Sequence, residues 1–132
     1  MFTGLDHVAI LVPDTEAVLP YFRDRLGLTL LYSEVVNNGT VRLTHLDAGN
    51  THVQLVEPLT PDHPLQADLA ARGVHLHHIC FRVENVDDAM QEAPQHQLAL
   101  AQETPHQGTQ GKRAFFLHRD STAGVRVEVT GP

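Results

Sequence analysis

The chain repeats a short motif around a histidine, and this duplication constrains its fold more than any other feature. Leu5-Asp6-His7-Val8-Ala9-Ile10-Leu11-Val12 returns in the second half as Leu76-His77-His78-Ile79-Cys80-Phe81-Arg82-Val83. A second echo lies near the end of each half, Val53-Gln54-Leu55-Val56 against Val127-Glu128-Val129-Thr130. Alternate side chains of a strand point to opposite faces. His7 therefore shares a face with Ala9 and Leu11, opposite Val8, Ile10 and Val12, while His78 lies opposite Ile79, Phe81 and Val83. Gln54 and Glu128 each interrupt an apolar strand in the same way.

Any one of these four is ordinary as a polar residue on the wet face of an antiparallel strand. The same positions occupied in two modules point instead to a metal site, because a buried carboxylate or imidazole is costly unless paired or metal-bound. His7, Gln54, His78 and Glu128 are the expected ligands. Two imidazoles, a carboxylate and an amide oxygen suit a divalent ion such as cobalt, nickel, zinc or manganese. Around an octahedral ion they leave two positions for water or substrate oxygens, the openness a catalytic site needs. His75 with His77, and His52 beside Gln54, form a rival grouping. They lack counterparts in the other module and are read as structural or supporting residues. His63, His96 and His106 lie among Pro, Gln and Asp in turn-like segments and read as surface residues. Cys80, in an apolar strand, reads as a packed thiol.

A chain of 132 residues holds one domain with a real core and is too short for two ordinary ones. Module one is expected over about 1–58, a connector and helix over about 59–73, and module two over about 74–132. In the first module, a strand over 5–12 ends at Pro13-Asp14. Asp14 caps a helix with apolar positions Val18, Leu19, Phe22 and Leu26, kinked or delayed by Pro20 and stopped by Gly27. Strands over 28–36, 41–47 and 52–56 follow, the first two joined through Asn37-Asn38-Gly39. A helix over 64–72 ends at Gly73. The second module adds a short helix over 86–93, broken by Pro94, and strands over 98–102, 113–118 and 125–130. Gly108-Thr109-Gln110-Gly111 is a loop without the lysine-serine ending of a phosphate-binding loop.

The formal charge is −7 and no basic run exceeds Lys112-Arg113, which argues against nucleic acid and against an anionic membrane surface. One cysteine allows no intrachain disulfide and fits a reducing compartment. With no apolar stretch long enough to span a bilayer and no signal-peptide pattern, a cytoplasmic location is expected.

The chain resembles the vicinal-oxygen-chelate superfamily, which includes the glyoxalases, bleomycin-resistance proteins and dioxygenases, and within it the methylmalonyl-CoA epimerase branch. Leu5-Asp6-His7-Val8, Gly49 through Pro58, His77 through Val83, and Gly111-Lys112-Arg113 through Phe116-Leu117-His118 to Ser121-Thr122, Gly124-Val125 and Glu128 carry the likeness. It spans about Leu5 to Val129. The resemblance implies an α+β fold of two paired β-α-β-β-β modules, forming an open, barrel-like curved sheet around a metal. It implies the same four ligands, a cobalt-favouring site, a homodimer, and an acyl-CoA substrate. The implied isomerase interconverts (2R)- and (2S)-methylmalonyl-CoA by alpha-proton abstraction through a metal-stabilised enolate, with Glu128 catalytic. Some epimerases carry a second, glutamate base at the position of Leu43, and this chain names no replacement. Arg119-Asp120 replaces a usual Pro-Lys, and Asn37, Gly39 and Thr40 replace a usual turn. The alternatives are a glyoxalase I-type lactoylglutathione lyase, whose arginine-rich glutathione pattern is missing near the start, and a non-catalytic small-molecule-binding resistance protein. A ring-cleaving dioxygenase fits less well, because Gln54 as a fourth ligand obstructs that chemistry.

Overall fold

The computed structural model describes residues 1–132. Each half of the chain runs strand, helix, strand, strand, strand, as the resemblance implies. The first comprises β1 (Gly4–Leu11), α1 (Thr15–Leu19), β2 (Thr29–Val36), β3 (Val41–Asp47) and β4 (His52–Pro58). After α2 (Leu65–Arg72), the second comprises β5 (His75–Arg82), α3 (Val86–Glu92), β6 (His106–Gln107), β7 (Arg113–Phe116) and β8 (Val127–Gly131). No helix is long and apolar enough to cross a membrane.

The contacts divide the chain into two compact units that do not coincide with those halves. Val8–His77 forms one, and Met1–His7 together with His78–Pro132 forms the other. The continuous unit has strand order β2-β3-β4-β1 and the discontinuous unit β1-β5-β8-β7-β6, with β1 contributing a half to each.

In the continuous unit, β2, β3 and β4 are antiparallel, with Glu34 opposite Leu43 and His45 opposite Gln54. One face buries Val12, Leu46 and Leu55 beneath Val18 and Leu19 of α1. The other buries Ala9, Leu11, Val36, Val41, Leu43 and Val56, with Leu65 and Leu69 of α2 packed on them. Asp14 caps α1 by accepting from the Glu16 N–H (3.1 Å). Pro20 does disturb this helix: from Pro20 to Arg25 the chain widens into a π-type turn. The wider turn shifts the helical phase, and Leu26, expected on the apolar face, is exposed. Asn37, Asn38 and Gly39 all adopt positive φ, which these residue types tolerate.

In the discontinuous unit β5 and β8 run parallel, whereas β6–β7 and β7–β8 are antiparallel. Phe115, Leu117, Val127, Val129 and Val83 pack against Val86, Ala89 and Ala93 around α3 on one face. This leaves His78, Phe116 and Glu128 to the opposite face by strand alternation. The strand expected over 98–102 is reduced to a single bridge, Leu100 to Leu117. The Ala99 N–H is taken by Ser121 Oγ (3.1 Å) rather than by a strand partner.

Candidate metal centre

All four residues singled out by the repeat are buried, so none is a polar residue on a wet face. Three of them come together within the discontinuous unit. His7 arrives on the first half of β1, His78 on β5, and Glu128 on β8 beside Cys80 and Phe116 in the strand register. His7 Nε2 lies 3.3 Å from His78 Nε2. Glu128 Oε1 lies 3.4 Å from His7 Nε2 and 3.1 Å from His78 Nε2. Gln54 belongs to the continuous unit.

Asp6 determines which nitrogen His7 offers to this cluster. His7 Nδ1–H donates to Asp6 Oδ1 (2.8 Å), and Lys112 Nζ donates to Asp6 Oδ2 (3.1 Å). Burial works to raise the Asp6 carboxyl, but the hydrogen bond and charge of His7, with Lys112, hold it down at about 2. For His7 itself, burial disfavours the charged form, and the carboxylates of Asp6 and Glu128 outweigh it and raise its pKa. Burial likewise opposes ionisation of Glu128, yet hydrogen bonds from His106, His7 and His78 hold it well below the ordinary glutamate value. Negative charge thus lies at both nitrogens of the His7 ring, Asp6 at Nδ1 and Glu128 at Nε2.

Three atoms whose chemistry is lone-pair donation converge here, and their spacing can be tested against a cation. Ligands bound at about 2.1 Å lie about 3.0 Å apart at right angles and about 3.4 Å apart at the tetrahedral angle. The observed separations fall in that interval, so His7, His78 and Glu128 fit a divalent ion. Asp6, His7 and Cys80 also approach one another, but burial, with Glu128 and Asp6 nearby, pushes the Cys80 thiol up. Cys80 is the packed thiol expected from its strand context.

His106 departs from its sequence reading. It is no ordinary surface residue: His106 Nε2 lies 2.9 Å from Glu128 Oε2, and its ring stacks on Phe116 at 5.4 Å. Its segment has no periodic pattern, and the long-range pairing of β6 with β7 brings it to β8. His45 carries the corresponding surprise in the continuous unit. Fully buried and stacked on Tyr32, it bonds the Gln54 amide nitrogen (2.9 Å) and His52 Nδ1 (3.0 Å). His52, read as a structural or supporting residue, is linked to Gln54 through His45. His75 bonds the Gly73 carbonyl (2.7 Å), and its ring centroid stands 6.5 Å from that of His77. Leu43, where the resemblance implies a glutamate in some relatives, is part of the apolar layer under α2.

Comparison with known proteins gives this geometry a family. The model of the Glyoxalase/Bleomycin resistance protein/Dioxygenase superfamily matches residues 6–116. The ethylmalonyl-CoA/methylmalonyl-CoA epimerase of Cereibacter sphaeroides is 33% identical over 135 residues, covering 98% of this chain and 98% of its own. Among solved structures, methylmalonyl-CoA epimerase from Mycobacterium tuberculosis superposes with a TM-score of 0.90 at 28% identity, covering 99% of this chain and 89% of its own. A methylmalonyl-CoA epimerase in complex with methylmalonyl-CoA and ammonium superposes at 0.88 with 28% identity, covering 99% and 95%. On this match, and with paired strand-helix-strand-strand-strand halves, the chain belongs to the glyoxalase/bleomycin resistance protein/dioxygenase superfamily.

Proposed function

We propose that this protein is a metal-dependent epimerase that interconverts (2R)- and (2S)-methylmalonyl-CoA. The convergence of His7 Nε2, His78 Nε2 and Glu128 Oε1 carries the reading, in a fold shared with a structure that holds methylmalonyl-CoA. His7, His78 and Glu128 would hold the ion, and the sequence repeat assigns Gln54 as the fourth donor. A bound divalent ion supplies Lewis acidity, drawing negative charge onto substrate oxygens and making the adjacent carbon acid stronger.

The residues themselves supply the proton chemistry. Glu128, through Oε1, the oxygen that His106 does not hold, would accept the proton from the alpha carbon while remaining at or near the ion, and return one to the same face. Inversion further requires a donor on the opposite face. Leucine cannot move a proton, so Leu43 does not supply it. Asp6 keeps His7 presenting Nε2 throughout. We further assign cobalt as the native ion, a homodimer as the assembly and the cytoplasm as the location, in line with the donor set and the family likeness.

The test is deuterium entry at the alpha carbon of methylmalonyl-CoA in heavy water, using cobalt-loaded protein and a Glu128→Gln control. Rapid exchange that the control loses is the expected result. Exchange no faster than the spontaneous background in metal-loaded protein would refute the epimerase reading.

A further inference from the structure

Glu128 does not present its two oxygens equally. Oε1 faces the histidine pair, and Oε2 faces His106. The group that makes this division can be traced through Gln102. The Gln102 Nε2–H donates to the Thr104 carbonyl (2.7 Å), and Gln102 Oε1 accepts from the Phe116 backbone N–H (2.9 Å). Both partners are backbone groups of fixed character, so the orientation of this amide is settled. Gln102 Oε1 is an acceptor, and His106 Nδ1–H therefore donates to it (3.1 Å). Stacking on Phe116 fixes the plane of the ring, and Nε2 is aimed at Glu128 Oε2 at 2.9 Å. The ring thus meets an acceptor at each nitrogen, one contact anchoring it to the scaffold and the other holding the carboxylate.

We propose that His106 is a positioning residue that turns Glu128 so that it offers Oε1 alone to the metal. This rests on the metal-centre reading above and adds to it a residue outside the ligand set. A carboxylate free at both oxygens can bind an ion through one or both of them. One whose outer oxygen is held by an N–H is committed to single-oxygen binding, and its orientation is fixed before the ion arrives. Loss of a partner that orients a metal ligand costs roughly 10–100-fold in metal affinity.

Two substitutions separate the bonds of the ring. His106→Gln retains a donor where Nε2 lies and gives up the bond to Gln102. His106→Asn retains a donor where Nδ1 lies and gives up the bond to Glu128. Each variant, with the parent protein and His78→Ala, is titrated with cobalt(II) alone. Affinity is read by calorimetry, coordination by the visible absorption band, and folding by circular dichroism. The expected result is that His106→Asn binds cobalt about 10–100-fold more weakly with a displaced band, while His106→Gln stays near the parent on both readouts. If His106→Asn equals the parent while His78→Ala has lost cobalt, the positioning role is overturned and the metal centre stands. If His106→Gln is impaired as much as His106→Asn, the ring serves the scaffold rather than Glu128, and the proposal is again overturned. If the parent protein binds no cobalt, or His78→Ala binds it equally well, the metal-centre reading fails and the proposal falls with it.

Discussion

Replacing Asp6 should weaken metal binding at the proposed centre without touching a proposed ligand, by an amount set by the hydrogen bond that is lost. Asp6 is buried and accepts from His7 Nδ1–H on one oxygen and Lys112 Nζ on the other. A hydrogen bond to a charged group contributes about 1.5–3 kcal/mol, roughly twice a neutral one. Asp6→Ala removes the acceptor and leaves His7 free to rotate or change tautomer. At about 1.4 kcal/mol per tenfold, that predicts cobalt binding weaker by about 10–100-fold. Asp6→Asn keeps an oxygen toward His7 and loses only the charge, so roughly half the free energy, or about tenfold at most, should go. Lys112→Met should cost less than either, because the lysine side chain is 36% exposed and half-solvated ion pairs contribute about 0–1 kcal/mol. Calorimetric titration with cobalt(II), backed by competition with a chelator of known affinity, measures all three. Unchanged affinity in Asp6→Ala, with the fold intact by circular dichroism, would refute the claim that Asp6 sets the donor nitrogen of His7.

Two other predictions address packing and linkage. A Cβ added at Gly131 would stand 2.5 Å from the Val83 backbone oxygen, which no rotamer change can relieve, so Gly131→Ala should destabilise by about 1–3 kcal/mol. A Cβ at Gly4 meets only the end of the Arg82 side chain, also at 2.5 Å, which can swing aside, so Gly4→Ala should stay within about 0.5 kcal/mol. Urea unfolding of both variants checks the contrast, and equal losses would contradict it. Cobalt at about 100 times its dissociation constant should stabilise the folded chain by about 2.7 kcal/mol, reversibly on chelation, provided it binds the folded state alone. A thermal midpoint indifferent to cobalt would count against the centre.

The parts of the centre legible in the sequence are those that violate a pattern. His7, His78 and Glu128 each interrupt a run of strand-forming apolar residues, and the interruption recurs in both halves. The period of the strand makes a misplaced polar residue visible. His106 breaks no pattern, because Gln102 to Gln110 has none to break. Its place beside Glu128 follows from pairing between strands far apart in the chain. His45 is hidden differently. Along β3 the residues alternate as Val41, Leu43 and His45 against Arg42, Thr44 and Leu46, so both faces mix polar and apolar groups and neither reads as anomalous. The same physics explains the missing strand. Leu98 and Leu100 alternate correctly, but side-chain capping by Ser121 diverts the backbone from a ladder. In α1, Pro20 announced a disturbance, while the phase shift that exposes Leu26 depends on the turn the backbone adopts in response.

The division of β1 between two compact units has a consequence for how the molecule is made. Val8–His77 is continuous, so its partners leave the ribosome one after another, and that unit can fold while synthesis proceeds. The other unit joins Met1–His7 to His78–Pro132, and Thr3 already needs the Arg82 carbonyl as its acceptor (2.8 Å). Contacts of such long sequence separation form slowly, because the closure entropy of the intervening chain must be overcome first. His7 lies at the boundary between the two units in the chain and must wait for Glu128, which is translated long after it. A nascent chain stalled before β8 carries both histidines and a completed neighbouring unit, but it has no carboxylate with which to close the centre.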